Sequence, residues 1–562
     1  MTAATAPAPG VPKPGALGPF RHLVFAVLWG ATVLGNVGTF VRDVASQWIV
    51  TGLTPSPLAV AMIQAAGMLP IFLLAIPAGV LSDILDRRRF LIVVQLALAV
   101  VSTTLAVLAS FDAITVSNLI LLTFLGGIGA ALTMPTWQAI VPELVPREEL
   151  RGAVALNSLG VNIARAVGPA MGGTVLAIFG AAATYGLDVA SYILVIAALL
   201  WWPRPKATSD ELGERFGGAL RAGLRYALAS RPMHRILWRA AVFFAFGSAV
   251  WALLPLVARQ QLGGGPGFYG LMLGSLGIGA VVGALLLPLM RERLGQDGVL
   301  LAATIVAGLA AAALALTGIE EVAVAATFVL GIAWIVAVVT LNAATQAILP
   351  NWVRGRGLAV YLTVFNGAMT GGAITWGLVA QAIGITWALL IAAVCLAAIG
   401  PLVFRAALPK GEADLTPSNH WPEPAIFDTV ENDRGPVTII ITYRIDKADR
   451  AGFLAVMDLL GAARRQSGAM TWNVSEDAAE PGLIVETFVV PSWAEHLRQH
   501  KRVSRADALM QEAVHRFHRG EEKPDVVHLL ALDTRRASAA PAAHAHPAAG
   551  HAHNELESKG GR

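Results

Sequence analysis

The sequence predicts an all-α polytopic membrane protein of twelve transmembrane helices in two six-helix halves, with a small C-terminal α+β domain of ferredoxin-like type. Three observations carry this expectation. Apolar runs long enough to cross a bilayer recur along the first 405 residues. The loops joining them alternate between basic and nearly uncharged. The first six runs are echoed by the second six.

The runs fall at about 22–50, 58–82, 90–110, 117–140, 152–177, 181–202, 238–260, 268–290, 299–317, 321–347, 358–381 and 384–405. Of 562 residues, 56% are hydrophobic and only 14% charged. A soluble chain carries about a quarter charged residues, so lipid is the expected solvent for much of this one. The formal charge of +4 is small and Cys395 is the only cysteine. That excludes a disulfide framework and a cysteine-based metal site, and nothing points to a nucleic-acid partner. Residues 1–20 are Pro/Ala-rich and read as a disordered cytoplasmic tail rather than a signal peptide.

The alternation of charge sets the orientation. Loops after the even-numbered runs hold Arg87, Arg88 and Arg89; Arg147 and Arg151; Arg291 and Arg293; Arg354 and Arg356; and the basic stretch from Arg204 to Arg235. The other loops hold almost none, Arg259 excepted. The positive-inside rule then places both termini in the cytoplasm of a cell membrane. The halves are 21–202 and 238–405. The segment 203–237 between them reads as a linker carrying an amphipathic surface helix.

Three matches relate the halves. Gly79-Val80-Leu81 before Arg87 and Arg89 pairs with Gly283-Ala284-Leu285 before Arg291 and Arg293. Gln138-Ala139-Ile140-Val141-Pro142 pairs with Gln346-Ala347-Ile348-Leu349-Pro350. Arg151-Gly152 pairs with Arg356-Gly357. All share an offset of about 205 residues, as parallel repeats around an axis normal to the membrane require.

Beyond 405 the composition changes. Residues 406–435 are a polar, Pro-rich linker. From 436 to 533 the pattern strand, helix, strand, strand, helix, strand is that of a ferredoxin-like domain, with one long second helix expected over Ser492–His518. Residues 534–562 form a low-complexity tail whose histidines 544, 546, 551 and 553 suit at most weak metal binding. No catalytic set, cofactor fingerprint or metal-ligand spacing is found.

Charges inside spans are costly, about 2.5–3.5 kcal/mol each on insertion scales, and so mark candidate sites. Asp43 is expected to take up a proton or bind another cation, with Arg42 beside it. Arg165 is its expected neutralising partner or the holder of an anionic substrate, although about 10 Å of depth separates the two. Asp188 falls near the outer start of the sixth span. Asn162, Gln138 and Gln346, with Asn36, Gln47, Trp48, Gln64, Trp137, Trp251, Asn342, Asn366 and Trp376, are candidates for a central cavity lined by amides and aromatics.

Gly79-Val80-Leu81-Ser82-Asp83-Ile84-Leu85-Asp86-Arg87-Arg88-Arg89 resembles the loop between helices two and three of the major facilitator superfamily. Asp83 closes its own helix, where the macrodipole disfavours an anion. The resemblance implies that it faces the start of helix eleven, where Arg354 and Arg356 are equally misplaced, and that this pairing closes the cytoplasmic side. Leu287 stands at the corresponding place in the second half, so the gate is expected to be one-sided. Gly168-Pro169-Ala170-Met171-Gly172-Gly173 resembles the fifth-helix motif of antiporters in that superfamily, a place where a helix bends and packs closely. The fourth-helix arginine of many proton-coupled members is absent. The loop Met134–Leu150, followed by Ala155-Leu156-Asn157-Ser158, resembles the enterobactin-exporter and transmembrane secretion effector branch. That resemblance implies export of siderophore-like or drug-like molecules. Residues 436–533 resemble antibiotic-biosynthesis monooxygenases in element order. The domain is expected to dimerise or regulate; a membrane-anchored enzyme, or an importer or sensor of the same fold, are the alternatives.

Overall fold

The computed structural model describes residues 17–203, 224–350, 352–403, 434–520 and 522–532, with scattered residues between 407 and 431. Side chains 76, 80, 83, 84, 147 and 399–403 lie outside that description. Residues 1–16 of the expected N-terminal tail, the C-terminal tail and residues 204–223 of the expected linker fall outside it too, whereas Gly18–Arg21, expected as disordered tail up to residue 20, form a 3-10 turn. The chain divides into two compact units, Met1–Thr416 and Pro417–Arg562.

Unit one is helical. Helix α1 is Leu23–Leu53, α2 Pro57–Ile84, α3 Arg87–Ser110 and α4 Val116–Ile140. The helical run Leu150–Trp201 breaks at Gly180, whose φ of +76° suits glycine alone. It therefore holds two spans, α5 (150–179) and α6 (181–201). Helix α7 is Arg231–Leu256, continued by one π turn at Val257–Gln261. Pro266–Leu316 breaks at Gly295, φ +67°, into α8 (266–294) and α9 (296–316). Helices α10 (Glu320–Ala347), α11 (Arg354–Ile383) and α12 (Ile385–Val403) follow. The described residues thus supply twelve spans, close to the sequence boundaries. Nine continuous helices among them are long and apolar enough to cross a membrane; the two glycine breaks and the shorter α12 make up the rest. The chain is an integral membrane protein.

Local chemistry sets the ends. Ser56 caps α2 by accepting from Ala59 N–H, with Pro57 at the first helical position. Asp86 caps α3 through Arg89 N–H, and Thr115 with Asn118 forms a capping box on α4. Helix α7 begins at Arg231, earlier than the expected 238, because Ser230 caps it and Pro232 fits its first turn.

Call the membrane face holding the starts of α1, α3, α5, α7 and α11 the basic face, and the other the opposite face. The two halves meet mainly through α2 on α11 and α5 on α8.

Unit two has a four-stranded antiparallel sheet, β1 Val437–Arg444, β2 Thr471–Glu476, β3 Leu483–Val490 and β4 Asp525–Leu530, in the order β2-β3-β1-β4. Helix α13 (Arg450–Gln466) follows β1. The single second helix expected over Ser492–His518 is instead two, α14 (Trp493–Arg502) and α15 (Arg505–His515). Ser504 and Asp507 form a capping box that ends one and starts the other.

Val437, Ile439, Tyr443, Phe453, Met457, Leu460, Phe488 and Val514 fill the core between sheet and helices. Within it Glu486, fully buried, accepts from Arg464 Nε at 3.1 Å, Trp472 Nε1 at 3.0 Å and Tyr443 Oη at 3.0 Å. Burial, then the Glu486 charge, hold the Tyr443 phenol well above its usual range. Removing one member of a buried ion pair costs about 3–5 kcal/mol, because the other charge is left alone. Glu486→Leu is therefore expected to expose unit two to protease in the full-length protein at far lower urea than wild type. Tyr443→Phe is expected to shift that midpoint only slightly. Equal midpoints for the two would contradict the network's importance.

Candidate transport pathway and buried charge cluster

Helix α1 delivers Arg42 and Asp43 side by side. Arg42 is 7% exposed in the middle of the first half. Its Nη2 and Nε donate to Asp43 Oδ1 at 2.9 and 3.3 Å, and its Nη1 donates to Tyr192 Oη at 2.9 Å. Asp188 of α6, fully buried, has Oδ2 3.7 Å from Arg42 Nη1 and accepts from Ser102 Oγ of α3 at 2.6 Å. The space is made by glycines. A Cβ at Gly126 of α4 would lie 3.3 Å from Arg42 Nη1, and one at Gly38 would lie 2.2 Å from Ser191 Oγ. Four helices thus converge on one guanidinium with two carboxylates.

This changes the sequence picture. Arg42, read only as a neighbour of Asp43, is enclosed at the centre of the cluster. Asp43 pairs with its neighbour rather than with Arg165. Asp188 is a full member of the cluster, a role its position near a span's end concealed. The helical period would have found it, because Asp188, Ser191 and Tyr192 share one face of α6.

Arg165 of α5 is exposed and, among the described residues, has no hydrogen-bond or ion-pair partner. Ser158 and Asn162 lie on the same side of α5, at spacings of three and four, and both are exposed. Gln138 near the basic-face end of α4 is exposed, as is Gln346 near that end of α10, which donates to Asn342 at 2.8 Å. Four of the other amide and aromatic candidates serve packing. Trp137 donates to Asn157 at 2.8 Å, Trp376 to the Ala245 carbonyl at 2.8 Å and Asn366 to the Leu362 carbonyl at 2.8 Å. Trp251 stacks edge-on with Trp334.

The opposite face is sealed between the halves. Trp48 of α1 stacks on Tyr269 of α8 with centroids 5.8 Å apart. Tyr269 Oη donates to Gln47 at 2.7 Å, and Gln47 reaches Gln64 at 3.4 Å. Arg259 lies over the Trp48 ring and donates to Thr51 at 3.2 Å. Ser56 donates to Gln381 of α11 at 3.0 Å. Deeper in, α5 and α8 touch backbone to backbone: a Cβ at Gly173 would stand 2.5 Å from Gly270 Cα. In the same motif, Gly168 and Gly172 face Phe40 and Val41 of α1, and Pro169 lies within α5. The motif packs α5 against two helices at once, with small residues serving as in lipid-solvated interfaces.

Several contacts at the basic face lie within the first half. Arg87 donates to Glu143 Oε1 at 2.7 Å and to the Ala139 carbonyl at 3.2 Å. Arg88 donates to the Leu199 and Leu200 carbonyls at 2.7 and 2.6 Å, capping the negative end of α6. Gly79 lies near the end of α2 with open space where a Cβ would project. Asp83 lies on the last turn of α2, its side chain outside the described residues; Arg354 opens α11 and Arg356 follows in its first turn.

Two six-helix halves, a charge cluster in one and a seal between them are the architecture of a major facilitator-type transporter. The fold is shared with a nucleoside transporter, NupG in its D323A form, at TM-score 0.57 and 15% identity over 68% of this chain and 100% of that one. A bacterial homologue of the human lysosomal transporter Spinster, solved inward-facing and unoccupied, gives TM-score 0.55 and 16% identity over 69% of this chain and 97% of that one.

The chain belongs to the transmembrane secretion effector family, whose model matches residues 14–537. It is 26% identical to the staphyloferrin A transporter of Staphylococcus aureus over 46% of this chain and 66% of that protein. It is 25% identical to the multidrug efflux pump Tap of Mycolicibacterium fortuitum over 66% and 90%. With the enterobactin exporter EntS of Salmonella typhi it shares 30% identity over 37% and 49%. The match thus spans 66% of the length of the first of these relatives and 49% of the third. Family and relatives point to transporters, not enzymes.

The two structural features can be separated by substitution. Arg42→Met strands Asp188 in a dry site and is expected to lower the melting temperature in detergent sharply, since an uncompensated buried charge costs about 3–5 kcal/mol. Combining it with Asp188→Asn is expected to restore most of the loss; a double variant no better than the single one contradicts the pairing. Gly173→Val is expected to destabilise the protein and Gly371→Ala, which has open space around it, to leave the melt unchanged.

Proposed function

We propose that the protein is a secondary exporter of small amphipathic organic molecules, siderophore-like or drug-like, working by alternating access of its two halves. The observation that carries this is the inter-half seal at the opposite face. It leaves the basic face as the side from which a substrate enters, and the positive-inside rule makes that side the cytoplasm. The names of the staphyloferrin A, Tap and EntS relatives support the substrate class. Loading from the cytoplasm in the cell membrane, with both termini inside, is the order an exporter needs.

In this reading Arg165, with Ser158 and Asn162 beside it and Gln138 and Gln346 nearer the entrance, contacts substrate. A guanidinium without a partner among the described residues favours molecules with carboxylate or other anionic groups. Asp43, the more exposed carboxylate of the cluster, takes up a proton or another cation. Its neutralisation releases Arg42 toward Asp188, and α1 and α6 then shift against each other. Asp83 with Arg354 and Arg356 forms the cytoplasmic gate, Asp86 through Arg89 bracing its loop. Gly168, Pro169, Gly172 and Gly173 form the pivot of α5. Unit two pairs with a second copy: Val526, Val527 and Leu529 are exposed on β4, an edge strand.

The test is uptake into everted vesicles with an imposed pH gradient, across a panel of siderophores and cationic and anionic drugs. Gradient-driven accumulation is expected for anionic amphiphiles in wild type. Asp43→Asn is expected to abolish the gradient response, and Arg165→Gln to weaken substrate binding while leaving the response intact. Transport indifferent to the gradient would rule out proton coupling.

A further inference from the structure

Helix α14 carries two histidines one turn apart, His496 and His500, and the transport cycle above uses neither. Spacing of four places both on one face. Their Nε2 atoms stand 3.2 Å apart, and the rings cross at 83° with centroids 4.7 Å apart. On a helix of this polar composition an exposed position would be ordinary. Instead His496 is 2% exposed. Trp493 packs on its ring, and His528 of β4 stands 4.7 Å from it. Trp421 meets His500 edge-on at 4.9 Å.

Two neutral imidazoles at this separation either share a hydrogen bond or present both Nε2 lone pairs to one metal ion. Zinc–nitrogen bonds of about 2.0–2.1 Å at a tetrahedral angle put two ligand nitrogens about 3.3 Å apart. The observed separation of 3.2 Å already meets that requirement. The second shell is present as well. A metal at Nε2 fixes the remaining proton of His496 on Nδ1, a buried atom without a partner as it stands. Gln499, fully buried and three residues on, has an Oε1 that is also without a partner. Its side chain already interacts with the His496 ring, and its carbonyl can take the place of the carboxylate, backbone carbonyl or water that ligating histidines usually find. Burial, then the neighbouring His500 and His528, push the His496 imidazole down to about 3.

We propose that His496 and His500 chelate a borderline divalent transition metal, of the class of Zn2+ or Co2+, in the C-terminal unit. Imidazole suits such ions. Among the described residues no group of three or more His, Cys, Asp or Glu side chains is placed to hold a metal; His528 packs on the His496 ring without completing one, so the other coordination positions belong to water. Such a site is weaker than a four-ligand structural one and leaves the ion exchangeable.

The test uses the full-length protein in detergent, stripped with chelator, with His544, His546, His551 and His553 changed to alanine to silence the tail. Co2+ is titrated while the visible absorption is followed, and Zn2+ is titrated by calorimetry. One equivalent is expected to bind, to vanish in His500→Asn and to weaken by about tenfold or more in Gln499→Leu. Circular dichroism checks that the variants fold. His496→Asn provides the second variant should His500→Asn unfold. One equivalent bound unchanged in a folded His500→Asn or His496→Asn protein overturns the proposal, as does no binding above the His496→Asn/His500→Asn double variant.

Discussion

The constraint on which the first half depends is a guanidinium held in the middle of a membrane protein. Arg42 cannot sit there as a bare charge, so everything around it serves to satisfy it. Asp43 and Asp188 supply counter-charge from α1 and α6, Tyr192 an acceptor, Ser102 a donor for the second carboxylate, and Gly126 the room. Three helices must be in register for this to close. The cluster therefore specifies how α1, α3 and α6 stack, beyond what non-directional packing in lipid achieves. A cluster with two carboxylates on one cation also has an internal choice: whichever acid is neutralised, the other inherits the cation.

The second half satisfies its charge differently. Arg239, buried in α7, pairs with Asp297 at the start of α9, and Asp297 also accepts from the Leu408 amide at 3.0 Å. Aromatic packing fills the interior instead: Phe244 sits against Trp334 and Phe365. The halves are thus alike in backbone and unlike in chemistry. The sequence repeat reports the first, and the absence of a second Arg–Asp–Asp set reports the other.

The apolar spans and the strands of unit two were legible in the sequence because each rests on local patterning: apolar length, and period two against period 3.6. The charge cluster was half legible. Residues 42 and 43 stood out as charges in an apolar run, but their partner 188 lies some 145 positions along and is joined only by tertiary packing. The break at Ser504 was written in the sequence as a capping box and was outweighed by the apolar period on both sides. Burial of His496 was not legible at all, since a polar helix of ten residues gives no sign of which side a sheet will cover.

Gly180 joins α5 to α6 with a single non-helical residue. The joint leaves no slack. Helix α5 carries Gly173 into backbone contact with the other half, and α6 carries Asp188 into the charge cluster. The contact between the halves and the setting of Arg42 thus lie on the two arms of one short bend, and the only residue between those arms is a glycine, the residue that turns most freely.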